Sequence, residues 1–263
     1  MIKYKPITLK YHNLMLGVIT HYIKAFYGYS YIKSYLNKDA ALFNYILPKV
    51  DEINPPLLEE IKDFINKAKF SSQNPSFYIN HDYENKFREL IEKLGLTELT
   101  SDLYLSGNSK NVRVSDKMTL PLNYTLTDKY NVDELSDLLT ECFGGWESER
   151  DYIRLVENAS NKFSANRKMK TFVVKYNDKI VASGSVILDT ELGIGYLHNA
   201  GVHENHRRKG LHTALIQKRL VYCLDHGVNT WLMITEDNSA SAFGYKKLGF
   251  TEYDKFYFYT VRK

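Results

Sequence analysis

The feature that most limits how this chain can fold is residues 202–215, a run near the C-terminus with the sequence VHENHRRKGLHTAL. The run begins where a strand-like segment ends, and its last residues have the apolar spacing of a helix. A basic turn therefore joins a strand to a helix. A helix start leaves about four backbone N–H groups unpaired and carries roughly half a positive charge. Arg207, Arg208 and Lys209 add fixed positive charges, and Gly210 has no Cβ to obstruct a ligand. The run therefore predicts a site for an anion such as a pyrophosphate.

The segments around this run alternate between strand and helix patterns. Upstream, Asn177 and Asp178 form a tight turn between two predicted strands. Asn238 is a natural N-cap for a short helix that ends at Gly249. The predicted strands are residues 122–126, 171–176, 180–188, 195–202 and 230–235, followed by strand, turn and strand over 250–261. The other predicted helices are residues 132–143, 146–159 and 211–226.

Two motifs in this half stand in register with each other. The first has the pattern Gln/Arg-x-x-Gly-x-Gly/Ala and is matched by Arg207, Gly210 and, less well, His212, with the hydrophobic Val202 five positions before the arginine. The second has the pattern Asn-x-x-Ala-x-x-x-Tyr-x-x-x-Gly-Phe and is matched at Asn238, Ser241, Tyr245, Gly249 and Phe250. Together they resemble the motifs of the GNAT superfamily of acetyl-CoA-dependent N-acyltransferases, over residues 118–263.

Three positions depart from the family pattern. His212 stands where a glycine or alanine lets the helix backbone approach the cofactor, so its side chain must point away or narrow the pocket. Ser241 replaces alanine and adds only a hydroxyl. Gly244 falls inside the last helix, where glycine costs about 1 kcal/mol relative to alanine.

The resemblance implies an α+β fold with a mixed, mostly antiparallel central sheet flanked by helices, and acetyl-CoA as the cofactor. In the family the strand before the loop bulges away from its neighbour, and its free backbone groups pair with the pantetheine arm. The N–H of Val202 or a near neighbour would then polarise the thioester carbonyl. The residues that the resemblance assigns to the cofactor are Ala200, Gly201, Val202, Arg207, Arg208, Lys209, Gly210, Leu211, His212, Thr213, Asn238 and Ser241.

Catalysis of amide formation needs a proton for the departing thiolate and a base for the amine. Tyr245 matches the family's general acid. For the base we consider His198, which shares a strand face with Tyr196 and has an ordinary pKa of about 6.5. Glu236, beyond the next strand, is the other candidate. We expect the acceptor side to be covered by residues 132–159, where Glu147, Glu149, Tyr152 and Arg154 line a pocket or form a solvated helix face.

Metal and nucleophilic chemistry are not favoured by the sequence. His203 and His206 have a zinc-like spacing, but no second paired set of ligands accompanies them, so we expect no metal. Cys223 lies among apolar helical positions, and no serine stands in a Gly-x-Ser-x-Gly turn.

Composition describes an ordinary globular protein. The net charge of +4 comes from 35 basic and 31 acidic residues spread along 263 positions, which does not suit a nucleic-acid partner. Cys142 and Cys223 are expected to be free thiols of a reducing cytosol. No stretch of about 20 apolar residues predicts a membrane span, and the N-terminus has no secretory signal. We therefore expect a cytoplasmic monomer or homodimer without a membrane partner.

The N-terminal half predicts a helix-rich domain over residues 1–112, with the GNAT-like domain over 113–263. Helical spacing covers residues 9–35 and 36–47, and a further helix opens at Pro55 and Pro56. Residues 76–79 and 98–105 have strand character, residues 83–94 form a helix, and residues 106–111 form a linker. This half is either a degenerate copy of the same fold or an unrelated helical cap.

Two functional classes follow from these observations. One is an N-acetyltransferase that acts on a primary amine of a small molecule or a peptide. The other is a non-catalytic acyl-CoA-binding or scaffolding protein, which His212 and the lack of an obvious acidic base keep open. A third, weaker alternative is a transferase of aminoacyl or longer acyl groups, of the tandem type.

Overall fold

The computed structural model of the protein describes residues 2–15, 22–33, 44–50, 54–70, 76–145, 147–159, 163 and 165–261. These residues form two compact units. The first comprises Met1–Tyr104, Thr235–Asp237 and Tyr253–Lys263, and the second comprises Leu105–Ile234 and Asn238–Glu252. Strand β5 (Leu96–Asn108) begins in the first unit and ends in the second.

The second unit is a mixed sheet flanked by helices, as predicted. Its strands are β6 (Tyr124–Thr127), β7 (Arg167–Tyr176), β8 (Lys179–Asp189), β9 (Ile194–Val202) and β10 (Thr230–Thr235). Its helices are α4 (Val132–Phe143), α5 (Glu147–Ala159), α6 (Leu211–Asp225) and α7 (Ala240–Leu248). Strands β6, β7, β8 and β9 pair antiparallel in that order, and β10 pairs parallel with β9. The predicted α+β fold class is therefore confirmed.

Local sequence chemistry explains several of these boundaries. Asn177 and Asp178, at φ 49° and 63°, make the tight turn between β7 and β8 that the sequence predicts. Asn131 caps α4 by accepting hydrogen bonds from the N–H groups of Asp133 and Glu134. For α7, however, the cap is Ser239, whose Oγ accepts from the N–H of Ala242 at 3.1 Å. The predicted cap, Asn238, instead lies before the helix with a left-handed φ of 57°.

The first unit also combines helices with strands. Its helices are α1 (Pro6–Met15), α2 (Pro55–Phe70) and α3 (Glu84–Lys93). Its strands are β1 (Tyr22–Ala25), β2 (Tyr29–Lys33), β3 (Asn44–Pro48), β4 (Ser76–Asn80), β11 (Thr251–Val261) and most of β5. The pairs β1–β2, β2–β3 and β4–β11 are antiparallel, and β3–β4 is parallel.

The predicted helices over residues 9–35 and 36–47 are wrong beyond α1. The hairpin of β1 and β2 occupies residues 22–33, and β3 occupies residues 44–48; the stretches 16–21 and 34–43 lie outside the described residues. Tyrosine and isoleucine, which fill these strands, favour a pleated surface over a helix. The apolar spacing of these residues is compatible with a helix or a strand, and pairing with neighbouring strands decides in favour of the strand.

Two predicted loops are also strands. The strand, turn and strand expected over residues 250–261 is one strand, β11. The first part of the predicted linker, Ser106 to Asn108, belongs to β5, and Ser106 is buried. Polar residues are poor markers of a loop where neighbouring strands satisfy their backbone groups.

No helix among the described residues is long and apolar enough to cross a membrane.

Candidate functional site

The predicted anion loop lies at the surface between β9 and α6. After Val202 the chain makes a 3₁₀ turn at Glu204–His206 and enters α6 at Gly210, whose φ is +78°. Residues 207–210 are all exposed. Glycine suits the left-handed conformation at this helix entry, and the first N–H groups of the helix point along the axis toward the loop. Such an arrangement is typical of anion sites, and anion binding by this loop stays a prediction.

Two of the loop's three cations, Arg207 and Lys209, donate hydrogen bonds to neighbouring groups. Arg207 Nε donates to the carbonyl of Val202 at 3.2 Å. Lys209 Nζ donates to the hydroxyl of Tyr124 at 2.9 Å and to the carbonyl of Asn205 at 3.3 Å. These partners leave the positive charges uncompensated, because each acceptor is neutral. The positive electrostatic potential of the loop is therefore available to attract an anionic ligand.

Strand β9 bulges just before the loop. Its register with β8 pairs Ser183 with Gly201 and Ser185 with His198, so β9 contains one extra residue at this point. Asn199 lies in the bulge with a φ of 44°. The parallel register with β10 covers Gly195 to Leu197 only, although β9 continues to Val202.

The bulge leaves an edge that suits an extended ligand. Residues 199–202 lie beyond the register that β9 shares with β10, so this stretch of backbone can pair with an arm such as pantetheine. Gly201 faces α4, where an added Cβ would come 3.0 Å from Cys142. Ala200 and Val202 are partly exposed.

Tyr245 is buried, and its hydroxyl oxygen accepts a hydrogen bond from Arg219. The side chain is 1% exposed, and Arg219 Nη2 lies 3.0 Å from the phenol oxygen. Burial raises the pKa of Tyr245 above its ordinary value, while the charge and hydrogen bond of Arg219 act in the opposite direction. The phenol is therefore protonated at neutral pH, as a general acid must be.

His198 is buried and neutral at ordinary pH. Burial, and secondly the positive charge of Arg219, lower the pKa of its imidazole to about 3. Its ring stacks on Tyr196 at a centroid distance of 5.4 Å, and neither ring nitrogen makes a hydrogen bond of normal geometry within the described chain. The sequence-based expectation of an ordinary pKa near neutrality is therefore wrong for this residue.

His212 points toward α7. Its ring meets Tyr245 edge-on at a centroid distance of 5.7 Å, and burial lowers the pKa of its imidazole to about 4. A Cβ at Gly244 would lie 3.5 Å from His212 Nδ1. The two departures from the family pattern are therefore neighbours: a small residue in α7 faces a large one in α6.

The remaining predicted residues occupy varied positions. Leu211 is buried, Thr213 is exposed at the start of α6, and Ser241 is partly buried in α7. Asn238 is exposed and belongs to the second unit, whereas Glu236 is exposed and belongs to the first.

The acceptor-side candidates on α5 do not share one environment. Tyr152 is buried, whereas Arg154 forms ion pairs with Asp133 at 2.7 Å and Asp151 at 3.7 Å. The side chains of Glu147 and Glu149 lie outside the described part of the chain. Arg154 thus fits the solvated-face interpretation.

A buried carboxylate, Glu157, was missed by the sequence analysis. It accepts hydrogen bonds from Tyr130 at 2.7 Å and from Thr171 at 2.8 Å, and Thr171 contacts Ser185 at 2.7 Å. Burial raises the pKa of Glu157. Because Ser185 is paired with His198 across the sheet, the row of polar side chains leads toward that histidine. In the sequence, Glu157 is one of several glutamates on an amphipathic helix, and nothing there indicates that it is buried and hydrogen-bonded.

Arg219 was missed as well. It lies in the middle of α6 and is 0% exposed. The only sequence signal was an arginine in a helix that is apolar around most of its surface. After burial, its positive charge is the next cause that shifts the pKa values of Tyr245, His198 and His212.

The histidines and cysteines considered for metal and nucleophilic chemistry have the following surroundings. No group of three His, Cys, Asp or Glu side chains among them is placed to hold a metal ion. His203 instead pairs with Glu141 at 3.3 Å. Cys142 and Cys223 are free, and burial raises the pKa of Cys223 to about 12, which opposes thiolate formation.

The model of the acetyltransferase (GNAT) family matches residues 132–250. No curated protein matches the chain. A solved GCN5-related N-acetyltransferase from Kribbella flavida has a TM-score of 0.68 at 12% identity, covering 100% of this chain and 97% of its own.

Two further structures have the same fold. One from Sphaerobacter thermophilus, also a GCN5-related N-acetyltransferase, has a TM-score of 0.65 at 13% identity, with 90% of this chain and 81% of its own covered. A tandem GNAT protein from the clavulanic acid biosynthesis pathway has a TM-score of 0.62 at 14% identity, with 88% and 77% covered. At such identities the likeness concerns the fold. Residues 132–250 thus match the acetyltransferase (GNAT) family, and the chain as a whole has the fold of these solved structures.

Proposed function

We propose that residues 113–263 form an N-acetyltransferase domain that moves an acetyl group from acetyl-CoA to a primary amine. The observation that carries this proposal is the sequence of three features on one stretch of chain: a bulged strand edge, an exposed cationic loop and a helix start at Gly210. The strand edge suits the amide arm of an acyl-CoA, and the loop and the helix start together suit its pyrophosphate. Tyr245 on α7 supplies a buried phenol near the same helix.

Different residues are assigned to different parts of acetyl-CoA. Arg207, Arg208 and Lys209 and the first N–H groups of α6 hold the pyrophosphate. Backbone groups of residues 199–202 pair with the amide arm and orient the thioester carbonyl, with the N–H of Val202 or a near neighbour as the oxyanion donor. Asn238, in the turn before α7, and Ser241, in α7, contact the cofactor as well. When bound, acetyl-CoA supplies an acyl group that is already activated.

Proton transfer is assigned to two side chains. Tyr245 gives its proton to the sulfur of the leaving group. His198, with its lowered pKa, is a weak base, and we assign it the role of accepting a hydrogen bond from an amine that arrives neutral. The expected substrate is a small-molecule or peptide amine, and the expected compartment is the cytoplasm.

Binding is tested first with loop variants. Arg208→Gln/Lys209→Gln removes two positive charges and keeps Gly210, whose replacement would strain the backbone at φ +78°. We expect the Kd for acetyl-CoA in calorimetry to rise at least about 10-fold, because each charge-assisted contact contributes about 1.5–3 kcal/mol. The control Lys110→Gln/Lys129→Gln removes two exposed lysines outside the loop. Equal Kd values for the two variants would contradict the assignment.

Turnover is tested with Tyr245→Phe. Wild-type protein is incubated with acetyl-CoA and pooled amines, and free thiol is measured. In Tyr245→Phe we expect kcat to fall roughly 100- to 10,000-fold, while the acetyl-CoA Kd stays near that of the wild type. An unchanged kcat would remove Tyr245 from the mechanism.

A second candidate is a non-catalytic acyl-CoA-binding protein of the same fold. Two observations favour it: Tyr245 is only 1% exposed, and His198 has a pKa of about 3. Tight acetyl-CoA binding without thiol release from any amine pool would select this alternative.

A further inference from the structure

Arg219 is a buried cation whose hydrogen-bond partners among the described residues are all neutral. Nε donates to the carbonyl of Leu215 at 3.0 Å, and Nη1 donates to the carbonyls of Ser185 at 3.2 Å and His198 at 3.5 Å. Nη2 donates to the hydroxyl of Tyr245 at 3.0 Å. Within the part of the chain that the structure describes, no carboxylate forms an ion pair with this guanidinium.

Gly184 leaves space for the Arg219 guanidinium, but burying its charge costs free energy of folding. A Cβ at Gly184, on β8, would lie 3.0 Å from both Cζ and Nε of Arg219, so a side chain there would press on the guanidinium. Burying an ion without a counter-ion is unfavourable, and apolar side chains of similar volume often stabilise such positions as well or better. A contribution to stability therefore does not explain the charge at Arg219, whereas a contribution to function would.

The direction of the hydrogen bond to Tyr245 is informative. A guanidinium has donors only, so the phenol oxygen must accept from Nη2. The phenol's own hydrogen is therefore not used in this hydrogen bond. A positive charge at this distance also favours the phenolate that remains after the proton has left.

The same side chain contacts the bulged strand. Through Nη1 it holds the carbonyl of His198, next to the extra residue in β9. His198 and His212, the nearby imidazoles, have pKa values lowered by burial and by Arg219, so both are neutral at neutral pH. Arg219 is therefore the fixed positive charge between the bulge and the phenol.

We propose that Arg219 is the positioning residue that makes Tyr245 an effective acid toward the sulfur of the leaving group; this inference rests on the proposed function. The amine nitrogen forms a bond with the thioester carbonyl carbon, and the C–S bond breaks with its electron pair going to sulfur. Tyr245 transfers its proton to that sulfur, which leaves as a thiol. Arg219 stabilises the phenolate until it takes a proton from solvent, and the amine nitrogen releases one proton to solvent.

The test is a double-mutant cycle with kcat for thiol release from acetyl-CoA and the amine found in the screen. The variants are Arg219→Met, Tyr245→Phe and the two combined. We expect Arg219→Met to lower kcat roughly 10- to 100-fold, as for loss of a hydrogen bond from a charged group, with little change in the KM for acetyl-CoA. In the Tyr245→Phe background the same change should lower kcat by no more than about twofold.

The matched control is Lys218→Met, which removes a positive charge from the same helix at a position where the ammonium lies over the ring of Phe172. It should leave kcat near the wild-type value. An equal fold-loss from Arg219→Met in both backgrounds would overturn the proposal, because a purely structural role acts whether or not the phenol hydroxyl is present. An unchanged kcat in Arg219→Met would overturn it as well.

If Arg219→Met does not fold, Arg219→Lys and Arg219→Gln replace it. Lysine keeps the charge and glutamine keeps only neutral donors, so the lysine variant should turn over faster, and only when Tyr245 is present. Equal kcat values for the two variants would refute the role of the charge. A wild type that binds acetyl-CoA and releases no thiol refutes the proposed function itself, and is thereby distinguished from failure of the Arg219 assignment.

Discussion

Acid should destabilise the second unit through His198, and the size of this effect follows from its burial. The imidazole has a pKa of about 3 in the folded chain and an ordinary value of 6.5 when exposed. The unfolded chain therefore binds more protons between these two values, so stability is fully present above pH 6.5 and is lost as the pH falls toward 3.

The magnitude can be worked out for a drop from pH 7.5 to 5.0. At pH 5.0 an exposed imidazole with a pKa of 6.5 favours its charged form by a factor of about 30, whereas the buried one stays neutral. The free energy of unfolding should fall by about 2 kcal/mol from this residue alone. The result is insensitive to the folded pKa, because any value well below 5 gives the same answer.

The assay is urea unfolding at both pH values, followed by tryptophan fluorescence. Trp231 is fully buried in β10 and reports on the second unit. The variant His198→Phe keeps a ring against Tyr196 and removes the titration, so its pH-dependent loss should be about 2 kcal/mol smaller. The raised pKa of Glu157 acts in the opposite direction and is common to both proteins, so it cancels in the comparison.

The control is His81→Gln, which removes an imidazole that is 58% exposed in the first unit. It should leave the pH dependence of the Trp231 transition unchanged. Equal pH dependence in wild type and His198→Phe would refute the reasoning that His198 is buried as a neutral base.

Two further predictions concern the turn after α7 and the loop. Gly249→Ala should lower the free energy of unfolding by roughly 2–4 kcal/mol in urea denaturation, because an added Cβ would lie 2.3 Å from the carbonyl oxygen of Asn111 at a φ of +106°. The control Gly193→Ala, at φ +64° with nothing within 4 Å of the added Cβ, should cost only about 1 kcal/mol, and equal losses would contradict the steric argument. Raising NaCl from about 0.05 to 0.5 M should weaken acetyl-CoA binding several-fold in calorimetry, since exposed cations at residues 207–209 are screened by salt, and a salt-independent Kd would argue against an ionic pyrophosphate site.

The sequence by itself determined most of the second unit, because its signals are local. A strand that ends in a basic turn, a glycine at a helix entry, and an asparagine–aspartate turn each act over a few residues. Helix α4 and strand β10 have the bounds that the sequence predicted. The two motifs placed Tyr245 on a helix and residues 207–210 in an exposed loop, which is where they lie.

The tertiary structure decided what depends on partners distant in the chain. Residues 22–33 have apolar spacing compatible with a helix, and pairing with β3 makes them a hairpin. The pKa of His198 is set by burial and by Arg219, which lies 21 positions away in sequence. Arg219 itself is an ordinary helical residue until the sheet, the bulge and Tyr245 enclose it. Burial and electrostatics arise from atoms brought together by folding, and they are therefore invisible in any local pattern of the sequence.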